Sequence, residues 1–118
     1  METGRRFDAD KMPENAFVCV ITTAELDAGV LAARDVASRA SRMSIASDAA
    51  RLTPLPLDDD AAHAWAAMRV VLAEAGRRIN VNDLWIAAVA KANGMPVISQ
   101  DDDFDALADL GLIEVVKV

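Results

Sequence analysis

Residues 84–90, Leu-Trp-Ile-Ala-Ala-Val-Ala, form the longest uninterrupted apolar run in the chain. With Asn82 before it and Asn93-Gly94 after it, the run predicts a helix over 83–92 with Asn82 as the N-cap. Such a helix has no polar face to offer water and must be covered on most sides. The run is far short of the roughly 20 residues that cross a bilayer, so the cover has to come from the protein itself. A chain of 118 residues, 53% of them apolar, can supply it: long enough for one core, too short for two. One domain over 1–118 is the expectation.

Around that helix, short β-branched runs alternate with helical stretches. Residues 16–21, Ala-Phe-Val-Cys-Val-Ile, predict a buried strand, and Thr22 or Thr23 then caps a helix to about Ala33. Residues 35–52 predict a second helix. The prolines of 53–57, Thr-Pro-Leu-Pro-Leu, lack N–H groups, which leaves that stretch at most an edge strand. Asp58-Asp59-Asp60 sits where the helix dipole favours negative charge, heading a helix to about Ala75. On it Trp65, Met68 and Leu72 share one buried stripe, and Gly76 is the stop. Residues 97–99 predict a strand, 104–110 a short helix broken at Gly111, and 113–118 a closing strand. This order predicts an α/β domain with a mostly parallel sheet covered on both faces.

Charge narrows the function. Twelve Lys and Arg against 19 Asp and Glu give a net charge of −7, which argues against gripping nucleic acid through a general basic surface. An enzyme that approaches phosphates through a bound cation stays open. Cys19 is the only cysteine, so no internal disulfide forms, and mid-strand it reads as a small buried hydrophobe. The first six residues have no apolar segment behind their charges, so no signal peptide is expected, and a soluble, cytoplasmic protein is. Five scattered glycines make no phosphate-cradling loop. His63 reads as a helix residue without metal or base chemistry.

Three acidic positions stand at junctions of apolar elements: Glu25 one turn into the helix after the first strand, Asp83 opening the apolar helix, and Asp101 after the strand 97–99, with Asp102 and Asp103 beside it. In a parallel α/β sheet the strand C-termini and the following helix N-termini meet along one ligand-binding edge. Carboxylates converging there would suit Mg²⁺ or Mn²⁺, hard cations that take oxygen ligands. Each has a plainer reading. Thr22-Thr23-Ala24-Glu25 matches a capping box, Asp83 a first-turn carboxylate on the helix dipole, and one of Asp101 to Asp103 a cap for the last helix. Arg77 and Arg78, ahead of the Asn82-Asp83 junction, could contact a phosphodiester backbone or lie in a solvated loop. Trp65 reads as core, and Trp85 as core or as a neighbour of the site.

Three segments resemble motifs of one family. Val20-Ile21-Thr22-Thr23-Ala24-Glu25-Leu26-Asp27-Ala28-Gly29-Val30, Asn82-Asp83-Leu84-Trp85-Ile86-Ala87-Ala88 and Val97-Ile98-Ser99-Gln100-Asp101-Asp102-Asp103-Phe104 are similar, in order and spacing, to PIN-domain segments. Within that family the chain resembles toxins of the VapC type, from VapBC toxin–antitoxin pairs. The resemblance implies a three-layer α/β/α fold and a homodimer with Mg²⁺- or Mn²⁺-dependent endoribonuclease activity, silenced by a VapB antitoxin. It carries Glu25, Asp83 and Asp101 onto the family's acidic metal-site residues and Asp103 onto a frequent additional acid.

One departure accompanies it. PIN domains open with a central strand ending in aspartate, and no such segment precedes Ala16 here. By resemblance the chain begins about one strand and one helix late, so the sheet is expected to lack its first central strand. Poor metal coordination and reduced stability, or a strand borrowed from a neighbour, are the expected consequences. The alternative function is then a catalytically impaired PIN remnant that acts by binding antitoxin or a partner subunit.

Overall fold

The computed structural model describes residues 18–99 and 102–117, and the chain divides into two compact units, Met1–Leu55 and Pro56–Val118. The first unit holds β1 (Val18–Cys19), α1 (Val20–Ala32), α2 (Val36–Ala49) and β2 (Pro54–Leu55). β1 and β2 pair in parallel, with Val18 opposite Pro54 and Cys19 opposite Leu55. The proline-rich stretch thus forms a two-residue strand, as its missing N–H groups allow.

The first strand ends two residues earlier than expected. Cys19 is both its last residue and the N-cap of α1, with no side-chain cap bond, and Val20 and Ile21 are already helical. Their β-branched side chains favour a strand locally, but packing outranks that preference. As helix residues they belong to the element that buries Leu26 and Gly29. Residues 16 and 17 lie outside the described residues. At the other end of α1, two arginines of α2 reach the carbonyls that a helix leaves unpaired. Arg42 Nη1 donates to the Gly29 carbonyl at 2.7 Å and Arg39 Nη2 to that of Ala33 at 3.3 Å. Asp35 caps α2 by accepting from Ser38 N at 2.7 Å.

The second unit holds α3 (Asp59–Glu74), α4 (Val81–Ala92), β3 (Val97–Ser99), α5 (Asp105–Asp109) and β4 (Val115–Lys117). Asp58 caps α3 by accepting from Ala61 N at 2.9 Å. Met68 and Leu72 are buried, and Trp65 packs half-buried beside them, so the expected stripe forms. These residues close over α4, whose Leu84, Ala87, Ala88, Val89 and Ala90 are all buried. Burial on most sides follows from the unbroken apolar run. Phe104 and Leu107 complete the core from the α5 side, and a fully buried leucine such as Leu107 contributes about 1.5–3 kcal/mol.

α4 ends at Asn93, and Gly94 follows at φ +66°, a left-handed turn that glycine adopts without a Cβ penalty. Met95 N donates back to the Ala90 carbonyl at 2.9 Å. The chain reverses into β3, which pairs in parallel with β4 in the register Val97–Val115, Ile98–Val116 and Ser99–Lys117. α5 is the crossover. Two expected boundaries shrink: β4 starts at Val115 instead of residue 113, and the last helix spans Asp105–Asp109 instead of 104–110. The parallel strands form two pairs, β1–β2 and β3–β4. No helix among the described residues is long and apolar enough to cross a membrane.

Candidate functional site

Asp83 sits on the first turn of α4, but the cap that fixes this turn lies two residues earlier than expected. Asn80, not Asn82, is the N-cap, and its Oδ1 accepts from Asn82 N at 2.8 Å and from Asp83 N at 3.3 Å. Either asparagine suits a cap; α4 gains Val81 and Asn82 as an opening half-turn when the earlier one is used. Asp83 is 5% exposed. A carboxylate present only to complement the helix dipole can do so from the surface, whereas burying an ionised one is costly unless something compensates. The burial of Asp83 goes beyond what complementing the dipole requires.

The connector from 93 to 96 turns α4 back along β3. The N-terminus of α4 therefore lies toward the C-terminal end of that strand, the edge where parallel α/β units bind ligands. Ser99, the last residue of β3, is 7% exposed, and it and Asp83 are the buried polar residues among those described. Sequence reasoning used Ser99 only as part of a motif. A small hydroxyl ending an apolar strand immediately before an acidic run was the signal for it.

Glu25 belongs to the first unit. Because α1 begins at Val20, Thr22 is an interior helix residue, and Glu25 lies well past the first turn, half-buried. The capping-box reading of Glu25 is thereby removed: Cys19 is the cap and makes no side-chain bond. Asp101 lies outside the described residues. Asp102 and Asp103 are exposed on the turn leading to α5, whose N-cap is Phe104 with no side-chain bond of its own. Asp102 contributes its carbonyl, accepting from Asp105 N at 3.1 Å. Among the described residues no three His, Cys, Asp or Glu side chains group to hold a metal ion. Glu25, Asp83 and Asp103 each carry carboxylate oxygens, the donor type that Mg²⁺ and Mn²⁺ take.

The acidic turn has a cation that sequence reasoning missed. Lys117 Nζ lies 2.9 Å from Asp102 Oδ1 and 3.0 Å from Asp105 Oδ1. Those two carboxylates raise the Lys117 pKa above its usual value, Asp102 most. Nothing in the local sequence of a lysine near the end of a strand marks this role; the pairing register supplies it.

Arg77 and Arg78 lie between Gly76 and the Asn80 cap, both exposed, and Arg77 Nη2 meets Asp109 Oδ2 at 3.4 Å. Trp85 stacks on Trp65, so it is a packing residue of the α3–α4 contact. A cavity of about 460 Å³ opens at the other end of β3 and β4, lined by Lys91, Met95, Pro96, Leu112, Ile113 and Glu114. Its two charged groups offset each other, and none of the candidate carboxylates line it.

A PIN-domain family model matches residues 2–110. The chain is 48% identical over 117 residues to Ribonuclease VapC5 of Mycobacterium tuberculosis, covering 99% of this chain and 87% of that protein. It is 38% identical to Ribonuclease VapC4 of the same organism, covering 93% of this chain and 85% of the relative. The crystal structure of VapBC-5, a toxin–antitoxin family member from M. tuberculosis, contains a chain that superposes with a TM-score of 0.86 at 48% identity, over 94% of this chain and 88% of that one. The motifs around Glu25, Asp83 and Asp101 and the parallel α/β fold agree with these matches, and the chain belongs to the PIN-domain family, among its VapC members.

Proposed function

We propose that this chain is the toxin of a VapBC-type toxin–antitoxin pair and cleaves RNA endonucleolytically with Mg²⁺ or Mn²⁺. Glu25, Asp83 and Asp101 would hold the cation, with Asp103 as an additional ligand or as a group that positions water. The burial of Asp83 on a capped helix turn is the observation that carries this reading. A carboxylate 5% exposed at a ligand-binding edge is of the type that ligates a divalent ion. The names of the relatives, Ribonuclease VapC5 and Ribonuclease VapC4, and the toxin–antitoxin complex VapBC-5 support the same assignment.

Bound there, the cation would make water a nucleophile at neutral pH and offset charge on the scissile phosphate. The chain's own contribution is arrangement. Asn80 fixes the first turn of α4, and with it the backbone of Asp83. Arg77 and Arg78 would meet phosphates flanking the cleaved bond, where their exposure leaves them accessible. A VapB-type antitoxin would silence the toxin, which would act as a homodimer in the cytoplasm.

The test is cleavage of labelled RNA by the purified chain with Mn²⁺, with EDTA, and with Asp83→Asn. Asp83→Asn should lower the rate at least about 100-fold while the chain stays folded, as checked by its urea unfolding transition. Cleavage at the wild-type rate by Asp83→Asn, or in EDTA, overturns the assignment. A wild-type chain that binds a VapB antitoxin yet leaves RNA intact establishes the binding-only alternative.

A further inference from the structure

Aspartates at 101, 102, 103 and 105 crowd one short connector, and like charges that close repel. The fold gives two of them a shared counter-ion. β3 and β4 run in parallel with Ser99 opposite Lys117, so Lys117 stands where β3 ends and the connector begins. Its ammonium spans Asp102 and Asp105 at 2.9 and 3.0 Å, and the backbone bond from Asp105 N to the Asp102 carbonyl closes the same turn. The two residues are therefore tied to each other twice, once through the backbone and once through Lys117.

We propose that Lys117 is a positioning residue for the acidic connector. It takes Asp102 and Asp105 as partners and fixes the turn between them, which carries Asp103. This rests on the metal-dependent reading above. Exposed ion pairs add little to global stability, so losing Lys117 leaves the fold standing and loosens the connector. Charge and positioning make opposite predictions. Removing a cation beside an acidic site tightens divalent binding by Coulomb attraction alone. Loosening the turn that presents Asp103 weakens it.

The experiment uses the full chain with Mn²⁺ alone as the probe, reading affinity by calorimetry and amide hydrogen exchange over residues 103–107. Lys117→Met should lower Mn²⁺ affinity about tenfold and speed exchange, and Lys117→Arg should retain most of both properties. Adding Asp102→Asn and Asp105→Asn to Lys117→Met should cost less than about twofold more, because those carboxylates act through the lysine. Unchanged or tighter Mn²⁺ binding by Lys117→Met, unchanged exchange, or a large further loss in the triple variant overturns the positioning role. A wild-type chain that takes up no Mn²⁺ overturns the metal reading itself, and this role with it.

Discussion

The indole rings of Trp65 and Trp85 stack with centroids 5.0 Å apart and planes inclined by 18°, tying the middle of α3 to the first turns of α4. The Arg69 guanidinium lies 5.4 Å from the Trp65 ring centroid, adding a cation–π contact. Trp65 Nε1 is buried without a hydrogen-bond partner among the described residues. The ring and its N–H therefore act in opposite directions. Trp85→Ala should destabilise by about 2–3 kcal/mol, somewhat below the loss for a fully buried aromatic. Trp65→Phe keeps a stacking ring and removes the unsatisfied donor, and should stay within about 1 kcal/mol of wild type. Urea unfolding of both variants checks the contrast.

Asn80 is the sharpest test of the corrected helix start. Its side chain receives two backbone N–H groups of α4, and Asn82 receives neither of these bonds. Asn80→Ala should cost about 1 kcal/mol and Asn80→Asp or Asn80→Ser much less. Asn82→Ala should be nearly neutral for stability. Equal losses at the two positions in urea unfolding would return the cap to Asn82.

Gly94 turns α4 into β3 at φ +66°, and beyond its two chain neighbours no atom lies within 4 Å of where a Cβ would stand. Space is therefore available and backbone conformation is the whole difficulty. Gly94→Ala should destabilise by about 1–2 kcal/mol, and Gly94→Asn by less, because asparagine tolerates the left-handed region. Thermal unfolding of the two variants separates a conformational cost from a steric one: a clash would make asparagine the worse of the two.

Acid should remove one cap selectively. The bond from Ser38 N, and then that from Ser38 Oγ, hold the Asp35 carboxyl below its ordinary 3.8. A carboxyl whose pKa is lower folded than unfolded contributes its full stability above the unfolded value. That contribution is lost as pH falls from 3.8 through the lower folded value. The stability difference between wild type and Asp35→Ser should therefore be constant from neutral pH to about pH 5 and shrink below about pH 4. Unfolding midpoints across that range check it, and a difference independent of pH would remove the ionised cap.

How legible the molecule was in its sequence depends on the range of the forces involved. The stripe of Trp65, Met68 and Leu72, the acidic start of α3 and the Gly94 turn rest on neighbours within a turn or two, and each appears where its pattern put it. The start of α1 was misplaced because Val20 and Ile21 carry strand preference, which helical packing overruled. The α4 cap was misplaced because Asn80 and Asn82 are chemically equivalent at short range. For the candidate site, the sequence supplied the acidic positions but could not separate a capping-box Glu25 from one deeper in a helix.

By itself, then, the sequence determined an α/β chain with a buried apolar helix headed by an acid, and the family through three spaced motifs. Periodicity, capping chemistry and apolar runs act locally and survive in one dimension. Only the tertiary structure decided that Asp83 is buried and that Lys117 reaches Asp102 and Asp105. Burial is set by what packs over a residue from elsewhere in the chain. The lysine's reach is set by a strand register joining positions 99 and 117, which no local pattern encodes.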